Sequence, residues 1–230
     1  MKELYLIPYA GGTSLSYNKW DFADEIKAMA LDYRGHGTRR NESLDQDFHS
    51  IVTDICEEIF KRASGNEIAL FGHSMGALVA WDVANVLKRK GFTINKIFVS
   101  ACAAPRVFND KYYAPLATET GIMEYIKREH RLDAHQLDSK FFKSYIYPTI
   151  VNDYRILSEY KYEDICKSDF NITAFCGLSD PSIAIDDMKV WKEYTCTHFI
   201  LKTFQGDHYY IENDTNRSEI INTIENSLLS

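Results

Sequence analysis

Short apolar runs alternate along this chain with longer stretches in which apolar residues recur every three or four positions. The runs at 3–8, 27–33, 67–71, 94–100, 171–177 and 198–204 predict buried strands. Between them, residues 44–63 place Phe48, Ile51, Val52, Ile55, Ile59 and Phe60 at helical spacing, which predicts a helix with one face on a sheet. The stretch 77–87 is free of Gly and Pro and predicts a second helix; 186–194 and 216–229 predict two more, and 14–22 a short one. Strands that are apolar throughout, each followed by a helix, predict an α/β fold with a mostly parallel central sheet flanked by helices. At 230 residues the expectation is one domain, 1–230. One stretch breaks the rhythm. About seventy residues separate the strand ending near Ser100 from the one starting near Asn171, far more than a normal crossover. They carry helical patterns at 121–131, 136–147 and 151–160 and no clear strand, so 106–165 is expected to be a helical lid inserted into the domain.

The pentapeptide Gly72-His73-Ser74-Met75-Gly76 lies between the predicted strand at 67–71 and the predicted helix at 77–87. A strand, a sharp turn carrying Ser and a helix is the context of a nucleophile elbow. Such a turn strains the Ser backbone, and side chains two positions either side would collide with the neighbouring strand and helix; both positions are Gly. The Ser74 hydroxyl is then lifted to the top of the sheet, with the Met75 N–H facing the same space.

A serine hydroxyl needs a base, and the base an orienting carboxylate. With this elbow the chain order is Ser, then Asp or Glu, then His. Among the downstream histidines, His130 and His135 fall in the insertion and His198 opens a strand. His208 follows the last strand at its carboxyl end, where sites of open α/β sheets collect, and is the candidate base. Asp180 follows the strand at 171–177 in the same way and is the candidate orienting acid. Its rivals Asp186 and Asp187 open the next helix, where carboxylates serve as caps, and Asp207 cannot readily bend back onto its neighbour's ring. The second oxyanion donor is expected in the loop after the first strand, Tyr9-Ala10-Gly11-Gly12, so Ala10 N–H joins Met75 N–H. Tyr9 is the alternative donor, and a purely structural glycine turn is the other reading of that loop.

Composition narrows the class. The net charge of -7 argues against nucleic acid, whose phosphates need a basic face, and weakly against anionic membranes. The five cysteines are odd in number and never spaced as C-x-x-C, which suits reduced thiols in a cytoplasm and offers no zinc or disulfide framework. No signal peptide or membrane-length apolar run is visible, so a soluble cytoplasmic protein is expected.

Further motifs sharpen the assignment. The first strand ends in Ile7-Pro8-Tyr9-Ala10-Gly11-Gly12, the second runs into Tyr33-Arg34-Gly35-His36-Gly37-Thr38-Arg39, and the elbow reads G-H-S-M-G. Pro148, Asp153, Tyr154, Glu159 and Tyr160 lie in the insertion, and Gly177–Asp180 and Gly206–Tyr210 follow the last two strands. Together, over nearly the whole chain, these resemble the type II (external) thioesterases of nonribosomal peptide and polyketide synthesis, within the α/β-hydrolase superfamily. Their F-P-x-A-G-G, P-G-R-G-x-R, G-H-S-M-G, P-x-x-x-x-D-Y-x-x-x-E-x-Y, G-x-x-D and G-x-H-F-[FY] segments are met in order. Arg34 stands where Pro is usual, His36 where Arg is usual and Tyr209 where Phe is usual, and Glu159 is displaced by one residue. The resemblance implies hydrolysis of acyl thioesters on the phosphopantetheine arms of carrier proteins, which clears misprimed carriers, through an acyl-Ser74 intermediate. It implies carrier protein domains as partners, no metal or organic cofactor, and a monomer.

The triad alone does not separate sulfur from oxygen esters. A small-molecule carboxylesterase or lipase, an acyltransferase, or a hydrolase-fold binding protein therefore stays open. His73 is expected to serve packing or hydrogen bonding. Lys88-Arg89-Lys90 reads as cations at a helix C-terminus or as a carrier docking patch, as do Lys127, Arg128 and Arg131. Tyr112, Tyr113, Phe141, Phe142, Tyr145 and Tyr147 line an acyl pocket or fill the core of the insertion.

Overall fold

In the computed structural model, which describes residues 1–112, 118, 120, 121, 123, 124, 127, 134–162 and 167–230, six strands form one sheet. They are β1 (Lys2–Ile7), β2 (Ile26–Ala30), β3 (Glu67–His73), β4 (Thr93–Ser100), β5 (Asn171–Gly177) and β6 (Phe199–Phe204). Their order is β2-β1-β3-β4-β5-β6 and every neighbouring pair is parallel. From β1 the chain winds one way to β2 and then crosses to β3 on the other side. The winding direction therefore reverses between β1 and β3, and ligands of open α/β sheets bind at the carboxyl ends of such a pair.

The parallel ladder explains why the strands read as unbroken apolar runs. Tyr5, Ile7, Leu70, Ile97, Val99 and Ala174 face a core shared with α1 (Phe48–Arg62) and α2 (Met75–Arg89). The alternate residues Leu4, Leu6, Phe71, Phe98, Phe175 and Phe204 face a second core closed by Ile220, Ile221, Ile224 and Leu228, the apolar residues of the C-terminal helix (Asp214–Leu229). Both faces are covered, so both side-chain phases must be apolar. The N-terminus of α1 is set by a reciprocal cap: Ser50 N–H donates to Asp47 Oδ1 at 2.7 Å and Asp47 N–H to Ser50 Oγ at 3.2 Å.

Several boundaries differ from the sequence expectation. The second strand leaves the ladder at Ala30 rather than near 33. The buried Asp32 instead gathers two loops, accepting from the Ser14 N–H at 2.6 Å and the Thr38 N–H at 2.9 Å. Between β4 and β5, the helix expected at 151–160 starts earlier, as α3 (Tyr147–Ser158), because Pro148 suits the first helical turn. The stretch expected as one helix over 136–147 is broken into Ala134–Asp138 and a wider, π-helical turn at Phe142–Ile146. The pattern at 121–131, with His130, Arg128 and Arg131, falls largely outside the described residues, as do Tyr113 and Cys166. What is described of the inserted segment is fastened to the body at several points. Ile150, Asp153, Tyr154, Ile156 and Leu157 of α3 are buried. The Asn152 side chain donates to the Asp45 carbonyl at 3.1 Å, and Tyr160 stacks edge-on to Phe48 with centroids 4.7 Å apart. Lys111 and Tyr112 both donate to Asp187, on the short helix Ile185–Lys189 after β5.

Candidate active site

The elbow forms because nothing larger than hydrogen fits at its two glycines. A Cβ at Gly72 would stand 1.9 Å from the Gly76 carbonyl oxygen, and one at Gly76 would stand 2.4 Å from that of Ile7. Helix α2 is thereby drawn onto the ends of β3 and β1. Ser74, the residue between strand and helix, adopts φ 54° and ψ -123°, a conformation that costs an L side chain on the order of 1–3 kcal/mol. Its N–H donates to the Ser100 carbonyl at 2.8 Å, which holds the turn against β4.

Three residues predicted from separate loops meet here. His208 Nε2 lies 3.0 Å from Ser74 Oγ, and His208 Nδ1 lies 2.8 Å from Asp180 Oδ2. The Asp180 side chain is fully buried and that of His208 is 4% exposed. Asp180 Oδ1 accepts the backbone N–H groups of Ser182 at 2.8 Å and Ile183 at 3.1 Å, so the carboxylate is oriented by the turn that follows it. With Asp180 accepting at Nδ1, the neutral ring carries its proton there and leaves Nε2 to accept from the serine hydroxyl. The rivals are occupied elsewhere. Asp187 binds Lys111 and Tyr112, Asp186 binds Lys189, and Asp207 caps the Tyr209 N–H.

Ala10 lies in the loop after β1, and Met75 follows Ser74 directly in the first turn of α2. Met75 is the first residue of α2, and a first-turn N–H has no partner within its own helix. In the loop, Gly12 N–H turns back to the Tyr9 carbonyl at 2.8 Å and Gly11 N–H donates to Asp153 Oδ2 at 2.7 Å. The Ala10 N–H makes no hydrogen bond among the described residues. Two backbone donors at the carboxyl ends of β1 and β3, one on a helix N-terminus, form an arrangement suited to a developing oxyanion.

His73 points away from the hydroxyl. Its fully buried ring places Nδ1 2.8 Å from Ser100 Oγ, itself 2.6 Å from the Tyr210 hydroxyl. Burial, and then the neighbouring His208, push the His73 pKa well below its ordinary value, so His73 stays neutral beside the candidate base. Burial pushes the Cys56 and Cys176 thiols up to about 12, which makes them poor nucleophiles. Lys88 pairs with Asp169, and Lys90 stands 5.7 Å over the Phe60 ring. Of the aromatic set in the insertion, Phe142 is buried, whereas Phe141 and Tyr145 are 64% and 67% exposed and fill no core. One arrangement had no signal in the spacing: His36 and Asp153, 117 positions apart, form a buried pair beside the Gly11 N–H.

Thioesterase TesA of Mycobacterium marinum is 30% identical over 96% of this chain and 89% of its own length. The gramicidin S biosynthesis protein GrsT of Aneurinibacillus migulanus is 26% identical over 91% of this chain and 82% of its own. Among solved structures, the RedJ thioesterase from the prodiginine biosynthetic pathway of Streptomyces coelicolor superposes with a TM-score of 0.88. It is 27% identical, and the match covers 99% of this chain and 90% of that one. The type II thioesterase BorB from the borrelidin biosynthetic cluster gives 0.79 at 26% identity, over 99% and 92%. The family model for the thioesterase domain matches residues 2–228, and the chain belongs to that family of thioester hydrolases.

Proposed function

We propose that this thioesterase hydrolyses acyl groups from the phosphopantetheine arms of carrier protein domains in nonribosomal peptide or polyketide synthesis, through an acyl-Ser74 intermediate. The observation that carries the chemistry is the continuous relay Ser74–His208–Asp180 at the switch point of the sheet. His208 takes the Ser74 proton as Oγ attacks the thioester carbonyl, and Asp180 holds the imidazolium that forms. The Ala10 and Met75 N–H groups receive the oxyanion. As the thiolate leaves, His208 gives up that proton to the departing sulfur; the neutral ring then deprotonates a water that attacks the acyl-enzyme, and returns the proton to Ser74 Oγ as the acid departs. The substrate class is supported by the relatives: GrsT and BorB are named for gramicidin S and borrelidin biosynthesis, and the matches cover 91% and 99% of this chain.

Residues 106–165 act in this reading as a lid whose position gates entry of the long arm. The enzyme works as a cytoplasmic monomer, in keeping with its scattered cysteines, and among the described residues no helix is long and apolar enough to cross a membrane. The test compares an acyl-loaded carrier protein with an oxygen ester of the same acyl chain. Faster turnover of the carrier thioester, with an acyl adduct on Ser74 seen by mass spectrometry, is expected. A higher kcat/KM for the oxygen ester overturns the substrate assignment.

A further inference from the structure

The loop that carries Ala10 is held at Gly11 by the inserted helix. Gly11 adopts φ +72°, and a Cβ there would stand 2.2 Å from Cγ1 of Ile150 on α3. One turn further along the same face, Asp153 Oδ2 accepts the Gly11 N–H at 2.7 Å. That oxygen also lies 3.0 Å from His36 Nε2, and both side chains are 2% exposed. The other ring nitrogen of His36, Nδ1, lies 2.9 Å from the Arg34 carbonyl oxygen. A carbonyl and a carboxylate both accept only, so the ring satisfies both contacts only when it carries a proton on each nitrogen. With Asp153 ionised, the buried pair is an imidazolium against a carboxylate.

We propose that Asp153 and protonated His36 are positioning residues for the oxyanion hole: the pair fixes the Gly11 N–H and so aims the neighbouring Ala10 N–H at the carbonyl bound over Ser74. The inference rests on the reading of Ser74 and Ala10 given above. Because the cradle belongs to α3, docking of the inserted segment and completion of the oxyanion hole become one event. Loss of the His36 proton leaves one of its two acceptors unmet and the buried Asp153 charge uncompensated. The groups facing His36 favour the proton. Asp153 faces it from α3, and Asp32 and the Tyr33 ring, at 5.6 Å, from its own loop. Asp45 acts on Asp153 and Tyr33 from the segment before α1. Burial works against protonation, yet Asp153, the Arg34 carbonyl and Asp32 together raise the His36 pKa above its ordinary value.

The test uses the whole chain, a simple acyl-N-acetylcysteamine thioester, and a fluorophosphonate that labels an activated serine. Asp153→Ala is expected to lower kcat by about ten- to a hundredfold with KM changed less than about threefold, short of the loss from deleting a donor outright. Fluorophosphonate labelling slows in parallel. The wild-type kcat is expected to fall at alkaline pH with the loss of the His36 proton, a limb that His36→Arg removes and His36→Gln replaces with a low, flat rate. Nitrogen chemical shifts of the His36 ring in the wild-type protein give the same titration without any variant, and decide the matter should the variants fail to fold. A folded Asp153→Ala protein with unchanged kcat, or a His36 ring already neutral at pH 7, overturns the proposal. A wild-type protein that neither turns over the thioester nor takes the label overturns the Ser74 reading as well. Normal wild-type activity with variants equal to it sinks only the positioning role.

Discussion

His208 with Asp180 and His36 with Asp153 are alike as pairs. Ring nitrogen to carboxylate oxygen measures 2.8 and 3.0 Å, and no side chain among the four is more than 4% exposed. Each carboxylate also accepts backbone N–H groups, from Ser182 and Ile183 in one case and from Gly11 in the other. The second nitrogen separates them. That of His208 faces the Ser74 hydroxyl, which can donate; that of His36 faces the Arg34 carbonyl, which cannot. One ring can therefore rest neutral and take a proton during reaction, while the other holds its charge and serves as a brace. A buried histidine–aspartate pair is a base or a strut according to its third partner.

The largest way to break the comparison is at the hydroxyl. Ser74→Ala should lower kcat on an acyl thioester by about 10⁵-fold or more, measured by thiol release, with thermal stability little changed. Replacing the two carboxylates in parallel sharpens the contrast. Asp180→Asn should cost about 10³–10⁴-fold in kcat by fixing the wrong tautomer, well beyond the loss set out for Asp153. A loss at Asp153 as large as that at Asp180 would make the two pairs equivalent.

The third test is the pH dependence of stability. A raised folded-state pKa at His36 means that its contribution is fully present below about 6.5, the ordinary histidine value, and is lost as pH rises through the folded value. Thermal melts should show stability falling on the alkaline side, with that slope absent from His36→Gln. The smallest effect is expected at Asp45, buried at the edge of the second pair, whose Oδ1 has no hydrogen-bond partner among the described residues. Burial, with nearby Asp54, pushes its carboxyl up to about 6. The charged form is thus a cost above that value, relieved as pH falls through it. Asp45→Asn should stabilise the protein by about 1–3 kcal/mol near pH 7.5 in denaturant melts and give no gain near pH 4.

The site was legible in the sequence where it depends on local rules. Ser74 was marked by two glycines, a strand before it and a helix after it, since a backbone that admits no Cβ at 72 and 76 leaves its signature in five consecutive residues. Asp180 and His208 were marked by lying just past strands, at the edge where a parallel sheet exposes its loops. The brace was not legible. Asp153 entered only through a family motif, and His36 only as a departure from one. Nothing in the spacing joins residues 117 apart on a loop and an inserted helix. The exposure of Phe141 and Tyr145 was hidden for a related reason: apolar periodicity predicts a buried face only when the segment packs as one helix, and this one is broken before α3.

By itself, then, the sequence determined the alternation of strands and helices, the elbow and the chemistry that the elbow requires. Those features follow from backbone sterics and side-chain periodicity within a few residues. Tertiary structure alone decided the strand order, the meeting of Ser74, His208 and Asp180, and the seating of the Ala10 loop against α3. Each of these depends on which distant groups are buried together, and burial away from water turns a contact between two polar side chains into a requirement.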